Sequence, residues 1–413
     1  MFLIYSFVYT LVIFFLFIPQ YLKRPKELRR KWVREKLGSL PEMASSFWVH
    51  AVSVGEVSAV LQLLRLLRGK YPDIPIVLST ITDTGLKVAS DKVPEGVKVV
   101  YLPFDINWIL EKAFRRTNPK TFIVMETELW PNIFRVSSKK NVPVIIVNGR
   151  ISEKSSKGYR KLVFFMRRVF SYVTVFSMQS NLDAERLKAI GADENRVRVS
   201  GNFKFDMEIS GKLPEWTAAI KAPVIVAGST HHGEEELVIS AYRENLAKFP
   251  ALKLVLAPRH PERFSEVIDM LNAKQIPFVR RSELDSDTKP FSENVLLLDS
   301  IGELSSVYGI ADIAIIGKSF IGTGGQNPLE PAYWGKPILC GPHMENFPFM
   351  REFYDSGAAF EVGPTSLAKK IGTLLVNPEL AKTAGEKART LYESKSGAVN
   401  RALEIIEKYT SLN

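Results

Sequence analysis

Apolar runs of four to six residues recur along this chain and alternate with longer stretches in which apolar residues return every three or four positions. Runs of the first kind are typical of buried strands, and stretches of the second kind indicate helices. Their alternation predicts an α/β protein with parallel sheets. The predicted strands are Phe47–Val52, Ile76–Ser79, Lys98–Leu102, Thr121–Met125 and Val142–Val147 in the first half, and Pro223–Ala227, Lys253–Ala257, Val295–Leu298, Ala311–Ile316 and Pro337–Cys340 in the second.

The two halves resemble each other at a fixed offset of 178 positions. Gly55-Glu56 matches Gly233-Glu234, and Lys70-Tyr71-Pro72 matches Lys248-Phe249-Pro250. The match predicts two Rossmann-like, doubly wound domains that face each other across a cleft. Gly and Pro interrupt the pattern around Ser210–Ala222, so we expect the first domain to cover residues 23–210 and the second residues 211–413.

The first 22 residues contain no charge, and their apolar run is long enough to cross or deeply enter a bilayer. Eight basic residues follow, namely Lys23, Arg24, Lys26, Arg29, Arg30, Lys31, Arg34 and Lys36. A secretory signal peptide has its positive charge before the apolar run, so this order predicts an uncleaved membrane anchor over residues 1–22. The positive-inside tendency places the remaining chain on the cytoplasmic side of the inner membrane.

The net charge of +11 comes in large part from this basic cluster, which favours anionic membrane lipid over nucleic acid as a partner. The stretch Arg160–Phe170 mixes basic and bulky apolar residues. It fits either a helix on the membrane surface or a core-packing helix with a solvated basic edge. The single cysteine, Cys340, lies in an apolar strand, which excludes an intrachain disulfide and fits a reducing compartment.

The stretch Ile315–Phe347 leads from a predicted strand through a glycine-rich turn into a short predicted helix. Gly324 and Gly325 allow a tight turn, Asn327 suits the N-cap, and Glu330 three residues later completes a capping box. A helix N-terminus favours a phosphate, so the stretch fits a nucleotide pocket. It equally fits a simple helix cap, because neither a P-loop nor a dinucleotide fingerprint is present.

Ligands of open α/β sheets lie beyond the carboxyl ends of the strands, so polar residues just after strands are the candidates for a site. They are His50, Ser53, Glu56, Glu126, Glu128, Asn148, Arg150, Asn202, Lys204, Asp206, Ser229, Thr230, His231, Arg259 and His260. The histidines are scattered, so no metal site is predicted. Asp285-Ser286-Asp287 has the spacing used by metal-dependent sugar transferases, but its polar surroundings favour a solvated loop.

These residues carry a resemblance to a known family. The motifs HAVSVGE, METELWPN, GNFKFD, GSTHHGEE, PRHPERF, YGIADIAIIG, GGQNPLEP and GPHMENF occur in this order over nearly the whole chain. They resemble the bacterial Kdo transferases, the 3-deoxy-D-manno-octulosonic acid transferases of lipopolysaccharide synthesis. The resemblance implies a GT-B fold whose last helix crosses back to the first domain. It also implies CMP-Kdo as the donor co-substrate, a lipid A precursor as the acceptor, inversion at the transferred carbon, and neither metal nor cofactor.

The resemblance also implies roles for residues. Glu56 is expected to be the general base, and Glu128 and Lys204 to line the catalytic cleft. Contacts with substrate or nucleotide are expected from Ser53, Arg150, Ser229, Thr230, Arg259, His260, Gly324, Gly325, Asn327 and Glu330. The sequence departs from the family pattern at Lys318, where a Gly is usual, and at Gln326, where a His is usual.

The residues leave two other functions open. One is another membrane-associated GT-B enzyme that uses a UDP-sugar, which competition between CMP and UDP would distinguish. The other is a membrane scaffold that retains a nucleotide fold without catalysis. The carboxylate of Glu56 at the opening of the first domain argues against the scaffold. Glu56 could also have a purely structural role, because an acidic residue in a first helical turn interacts favourably with the helix dipole.

Overall fold

The structure is a computed structural model that describes residues 1–220, 222–284 and 292–410. The chain forms two compact units. Unit 1 contains Met1–Met207 together with the last helix, and unit 2 contains Glu208–Ser394. Each unit is built on a seven-stranded sheet whose paired strands are all parallel. The predicted loop Asp285-Ser286-Asp287 lies outside the described residues.

The sheet of unit 1 reverses its strand order between the first and the fourth strand. Its strands are β1 (Ser46–His50), β2 (Ile76–Thr80), β3 (Val97–Tyr101), β4 (Pro119–Met125), β5 (Val144–Gly149), β6 (Val175–Met178) and β7 (Val197–Val199). They lie in the order β3-β2-β1-β4-β5-β6-β7. The helices before and between them are α1 (Phe2–Lys23), α2 (Lys26–Lys36), α3 (Val54–Lys70), α4 (Asp83–Lys92), α5 (Asn107–Thr117), α6 (Pro131–Lys139), α7 (Glu153–Arg160), α8 (Val163–Phe170) and α9 (Asn181–Ala189).

The sheet of unit 2 also has seven strands, and its order reverses between its first and fifth strands. Its strands are β8 (Val224–Thr230), β9 (Lys253–Pro258), β10 (Phe278–Arg280), β11 (Val295–Leu297), β12 (Ile313–Ile316), β13 (Ile338–Cys340) and β14 (Ala359–Glu361). Their order is β10-β11-β9-β8-β12-β13-β14. The helices are α10 (Glu234–Leu246), α11 (Phe264–Ala273), α12 (Leu304–Val307), α13 (Leu329–Tyr333), α14 (Met350–Ser356), α15 (Leu367–Val376) and α16 (Pro378–Lys395).

The last helix, α17 (Ala398–Tyr409), belongs to unit 1. Its buried residues Val399 and Ile406 join the core beneath β1 and β4. Asp206 accepts hydrogen bonds from the N–H groups of Gly397 (2.5 Å) and Val399 (2.6 Å) at the start of this helix. The segment that carries Lys204 is therefore held by the end of the chain.

All ten predicted strands are confirmed, with ends that differ by a few residues. The sequence pattern missed β6, β7, β10 and β14. Three of these, β7, β10 and β14, are three-residue strands at the edges of the two sheets. Edge strands are partly exposed and lack the continuous apolar run of a strand covered on both faces.

Among the described residues, α1 is the one helix long and apolar enough to cross a membrane. This helix packs against the rest of unit 1 along its length. Near its start, the Phe2 ring packs on Phe165 with 5.3 Å between ring centroids. Near its end, Phe17 packs on Trp32 at the same distance. The opposite side is exposed and apolar, and it consists of Leu3, Ile4, Phe7, Val8, Leu11, Val12, Phe14, Phe15, Leu16, Ile18 and Leu22.

Three of the eight basic residues between Lys23 and Lys36 contact the core part of unit 1, and one of them, Lys31, donates to the Val99 carbonyl at 3.1 Å. The Arg24 guanidinium lies 4.4 Å from the Trp32 ring centroid and pairs with Asp83 at 3.3 Å. Lys36 is buried, and burial lowers its pKa to about 7. Four others, Lys23, Lys26, Arg30 and Arg34, are exposed. Arg24 and Lys36 are therefore held within unit 1, and contact of the cluster with anionic lipid stays a prediction that concerns its exposed residues.

The stretch Arg160–Phe170 shows features of both of its predicted readings. Met166, Val169 and Phe170 are buried in the core of unit 1. Leu162 and Phe164 on the other side are 53% and 80% exposed. The α8 segment therefore packs on the core with one side and presents an apolar side outward, next to the start of α1.

Candidate active site

The polar residues singled out in the sequence gather where the strand order of each sheet reverses. In unit 1 this point lies between β1 and β4, and in unit 2 it lies between β8 and β12. Loops that follow such neighbouring strands diverge to opposite faces of the sheet and leave a crevice above the carboxyl ends.

Glu56 lies in the first turn of α3, directly after the loop that follows β1. Ser53 caps this helix, and its Oγ accepts the N–H of Glu56 at 3.3 Å. The same hydroxyl donates to Glu56 Oε1 at 3.0 Å, and the N–H of Val52 donates to Oε2 at 2.9 Å. These bonds hold the carboxylate in one position, and the residue is only 7% exposed. The hydroxyl of Ser53 is thus engaged with Glu56.

Two further carboxylates lie beside Glu56. Glu126 follows β4 directly and Glu128 comes two residues later. Burial raises the pKa of Glu126, and the negative charge of Glu56 raises it further. Burial together with the charges of Glu56 and Glu126 raises the pKa of Glu128 to about 7. The pKa of Glu56 is also raised by burial. A helix cap needs a single acidic residue, whereas here one buried and two half-buried carboxylates repel one another, which is typical of functional sites.

Two cations stand next to these carboxylates. Arg150 and Lys204 both lie within electrostatic range of Glu126. Burial and the nearby charge of Arg150 lower the pKa of Lys204. Asn148 at the end of β5 accepts the N–H of Phe203 through its side chain at 3.0 Å, and Asn202 accepts the N–H of Lys204 at 2.9 Å. Unit 1 thus brings the three predicted catalytic residues, Glu56, Glu128 and Lys204, to one crevice.

Replacing Glu128 with Gln is expected to stabilise the folded chain above pH 7. Folding raises the pKa of Glu128 from 4.5 to about 7, so the folded state binds the proton more tightly. Stability then falls as the pH rises through this window. Removing the carboxylate should recover roughly 1–3 kcal/mol at pH 8 and far less at pH 5. The measurement is the Tm of both proteins at the two pH values.

Glu111→Gln makes the matched control for that comparison. Glu111 is an exposed carboxylate on α5 of the same unit, so its removal changes the net charge equally. Its effect on Tm should be small at both pH values. Equal stabilisation by Glu128→Gln at pH 5 and pH 8 would contradict the raised pKa.

In unit 2, a buried carboxylate organises the loops at the reversal point. Glu234, which is fully buried, begins α10 and accepts four backbone N–H groups. Its Oε2 accepts from His231 at 3.0 Å and Lys318 at 2.6 Å, and its Oε1 accepts from Phe320 at 3.0 Å and Ile321 at 3.3 Å. Glu234 also lies in the first turn of α10, but interaction with the helix dipole accounts for only part of this arrangement. Glu234 joins the loop after β8 to the glycine-rich loop after β12.

The segment after β9 is clamped to β8 by a second network. Arg263 pairs with Glu235 at 2.7 Å, and the buried Thr230 hydroxyl donates to the same carboxylate at 2.8 Å. The Thr230 carbonyl accepts the N–H of Arg259 at 3.0 Å. Thr230 therefore supports the site from behind, whereas Arg259 and His260 are exposed at the end of the strand. Ser229, half-buried, lies beside them.

The glycine-rich turn differs in detail from the predicted phosphate cradle. The N–H of Gly324 donates to Glu345 at 2.7 Å, and the N–H of Gly325 donates to the Lys318 carbonyl at 3.0 Å. Both glycines have positive φ, 105° and 67°, and a Cβ at Gly324 would lie 2.4 Å from Asn346. Their need for glycine thus comes from backbone conformation and close packing. In this structure their N–H groups already have partners within the chain.

The helix after this turn begins later than the sequence predicts. α13 covers Leu329–Tyr333, and its N-cap is Pro328 rather than Asn327. Asn327 still accepts the N–H of Leu329 at 3.1 Å, and its amide donates to Glu330 at 3.4 Å. The expected capping box is therefore replaced by a contact between two side chains. Burial raises the pKa of Glu330, while Arg259 and Asn327 oppose this shift.

Sequence reasoning missed a backbone feature shared by four residues at or just after the carboxyl ends of strands. Glu126, Asn148, Ser229 and Lys318 all have φ between 54° and 56°. Non-glycine residues rarely adopt this conformation, which costs about 1–3 kcal/mol each and concentrates at functional sites. Of these four residues, only Asn148 is of a type that adopts a positive φ comparatively often, so only there does the sequence indicate this conformation. At Lys318 it is a conformation that glycine would adopt without this cost.

The fold and this placement of polar groups define the GT-B class. A solved structure of UDP-GlcNAc 2-epimerase from Neisseria meningitidis, bound to UDP-GlcNAc, is similar with a TM-score of 0.57 and 14% sequence identity. The similarity covers 89% of this chain and 100% of that one. At this identity the match concerns the fold alone, and it confirms the predicted GT-B architecture.

Sequence comparisons establish the family. A family model described as 3-deoxy-D-manno-octulosonic-acid transferase (kdotransferase) matches residues 30–207. The 3-deoxy-D-manno-octulosonic acid transferase of Haemophilus influenzae is 34% identical over 375 residues, covering 89% of this chain and 87% of that protein. The enzyme of the same name from Bordetella pertussis is 31% identical over 385 residues, with coverages of 89% and 88%. The chain belongs to the Kdo transferase family, which confirms the predicted resemblance and the prediction of a glycosyltransferase.

Proposed function

We propose that the chain transfers Kdo from CMP-Kdo to a lipid A precursor. The observation that carries this proposal is the match to Kdo transferases over almost nine-tenths of the chain. Each unit by itself adds chemical support: unit 1 supplies the carboxylates of Glu56 and Glu128, and unit 2 supplies Arg259 and Glu330 beside a glycine-rich loop. The leaving group of a CMP-sugar is CMP, a phosphate monoester. Cations can stabilise it without a metal that bridges a diphosphate.

In the proposed reaction, Glu56 acts as the general base. An acceptor hydroxyl attacks the anomeric carbon of Kdo, its proton passes to the Glu56 carboxylate, and the bond from that carbon to the phosphate breaks as CMP leaves. The raised pKa of Glu56 makes it a stronger base than an exposed glutamate. Ser53 and the N–H of Val52 hold the carboxylate in place during this transfer. Lys204 and Arg150 offset the negative charge of the neighbouring carboxylates.

On the donor side, Arg259 and Glu330 are proposed to recognise the CMP part. Arg259 is exposed at the end of β9 and meets the phosphate or the Kdo carboxylate. Glu330 lies within electrostatic range of Arg259 and accepts the ribose hydroxyls. Ser229, His260 and Asn327 complete this side.

The direct test is turnover of CMP-Kdo with a lipid A precursor, read by mass spectrometry of the product. The proposal predicts release of CMP and a product heavier than the acceptor by one or more Kdo residues. CMP should compete with the donor and UDP should not. Transfer from a UDP-sugar, or binding without any transfer, would contradict the proposal.

Replacing Glu330 with Gln is expected to weaken CMP binding about tenfold, because a charge-assisted hydrogen bond to ribose becomes a neutral one. Isothermal titration with CMP measures this directly. Asn327→Ala is the companion variant, since it removes the side chain that contacts Glu330. If Glu330→Gln lowers only the Tm and leaves CMP affinity intact, the residue serves the helix start alone.

The exposed side of α1 is proposed to bind the cytoplasmic face of the inner membrane. The helix is 22 residues long, about 33 Å, and it contacts unit 1 near both ends. A helix that crosses a bilayer stands clear of the folded unit over most of its length, whereas this one leaves a single apolar side free. We therefore propose that α1 lies in the membrane surface. Lys23, Lys26 and Arg30 at its end meet anionic headgroups.

Labelling of Leu3→Cys in intact cells tests this placement. Leu3 is 82% exposed, and the native Cys340 is buried. A membrane-impermeant maleimide added outside spheroplasts should not label the new cysteine, and it should label it after lysis in detergent. A spanning helix would place residue 3 on the outer side, so labelling of intact spheroplasts would contradict the proposal.

A further inference from the structure

Three polar residues near the start of α1, Tyr5, Ser6 and Tyr9, lie on the side that contacts the rest of unit 1. The Tyr5 hydroxyl donates to the Asp105 carboxylate at 2.8 Å. The Asn132 amide donates to Ser6 Oγ at 2.9 Å, and the N–H of Asp105 donates to the Tyr9 hydroxyl at 3.2 Å. A helix that served only as an anchor would need none of these bonds. They indicate that α1 docks on unit 1 in one defined position.

One partner, Asn132, lies in the first turn of α6, and the other, Asp105, reaches that turn from the loop between β3 and α5. Asp105, almost fully buried, accepts the N–H groups of Asn132 at 3.0 Å and Ile133 at 2.8 Å. Its carbonyl accepts the Asn132 side chain at 2.7 Å. Asp105 therefore caps the first turn of α6, and Tyr5 completes the set of donors around this carboxylate. Burial raises the pKa of Asp105 to about 6, and the hydrogen bonds oppose that shift.

The loop between β4 and α6 carries Glu126 and Glu128. It has only five residues, because β4 ends at Met125 and α6 begins at Pro131. One end of the loop is fixed by the sheet and the other by the start of α6. Trp130 is the last residue of the loop. Its ring packs edge-on against Tyr9 with 6.4 Å between ring centroids. The position of this short loop thus depends on contacts that α1 makes.

We propose that α1 is a positioning element of the active site, and that Tyr5, Ser6 and Tyr9 hold the Glu126–Glu128 loop through Asp105, Asn132 and Trp130. The inference rests on the proposed function, since it assigns a catalytic purpose to that loop. One side of α1 binds lipid and the other side fixes the loop. Turnover is therefore coupled to the docking of α1, apart from any effect on access to a lipid acceptor.

The test uses the full-length chain in detergent micelles and on vesicles containing anionic lipid, with the double variant Tyr5→Phe/Ser6→Ala. This variant removes the two hydroxyls and keeps the apolar side of the helix. Thr10→Val is the matched control, because the exposed Thr10 hydroxyl bonds only within α1, to the Ser6 carbonyl. Deleting α1 is less informative, since it removes anchoring and positioning together.

The first readout is hydrogen exchange of the peptide that contains Asn132 and Ile133, which does not depend on activity. The double variant should exchange these N–H groups at least several-fold faster than the wild type and the Thr10 control. The second readout is kinetics with CMP-Kdo, where kcat should fall about tenfold while the donor KM and vesicle binding stay within twofold. The acid limb of the pH profile should also shift, because the environment of Glu128 changes.

The outcomes separate the possible failures. Unchanged exchange in the double variant overturns the positioning role. Faster exchange with unchanged kcat also overturns it, because the loop would then tolerate the loss. A fall in kcat that only parallels loss of vesicle binding shows anchoring alone. If the double variant exchanges faster than the wild type but the wild type never transfers Kdo, the proposed function is refuted. The contact between α1 and the loop then still stands.

Discussion

Glu56→Gln should lower kcat by ~10²–10⁴-fold, the usual contribution of a general base. Gln preserves the local structure, because its carbonyl oxygen can still accept the N–H of Val52 and its amide can donate to the Ser53 hydroxyl. The variant should therefore bind CMP-Kdo with a KM within a few-fold of the wild type. Single-turnover kinetics with the lipid acceptor measure the loss directly.

Ser53→Ala separates the base from the helix cap. It removes the N-cap hydroxyl and should cost ~1 kcal/mol of stability. The Glu56 carboxylate itself is kept, and the N–H of Val52 can still donate to it. If Glu56 only stabilises the start of α3, both variants should lower the Tm and neither should reduce kcat strongly. Near-normal transfer by Glu56→Gln would rule out this base and direct attention to Glu128, whose pKa of about 7 also suits proton transfer.

Glu234→Gln should impair the donor side without touching the catalytic carboxylates. Each oxygen of Glu234 accepts two N–H groups, so whichever way the Gln amide is turned, its NH₂ faces two donors. Leaving buried donors without an acceptor costs roughly 1–3 kcal/mol and should release the loop after β8 or the loop after β12. We expect the donor KM to rise by about tenfold or more, with a smaller change in kcat.

Glu236→Gln is the matched control for that experiment. Glu236 lies in the same first turn of α10, so its removal weakens the interaction with the helix dipole in the same way. It is exposed and contacts Lys274 at 3.5 Å instead of the loops. Equal effects of the two substitutions would mean that Glu234 acts through the dipole alone. A lower Tm with an unchanged KM would remove the glycine-rich loop from the donor site.

The two halves of the unit 1 site differ in how far local sequence predicts them. The Ser53 to Glu56 spacing is a local signal, since a cap and the third helical residue are always neighbours, and the structure shows this contact. The proximity of Glu56 to Glu126 and Glu128 is not local. It exists because β1 pairs with β4 across some seventy residues of chain.

Asn327 and Glu330 show the limit of motif reasoning within a few residues. Their spacing satisfies the capping-box rule, yet α13 starts at Leu329, one residue later than a helix capped by Asn327 would. The preceding turn is fixed by Glu345 and by the Lys318 carbonyl, both outside the motif. Tertiary contacts therefore decided where the helix could begin.

The alternation of strands and helices, the apolar first helix and the family could all be predicted from the sequence. Hydrophobic period and length are properties of short segments, and the order of the motifs is read directly along the chain. The tertiary structure alone decided that α1 lies along unit 1, that Arg24 and Lys36 turn inward, and that Glu234 joins two loops. These features depend on which strands and helices become neighbours. Neighbours in a parallel sheet are far apart in the chain, so no local pattern records them.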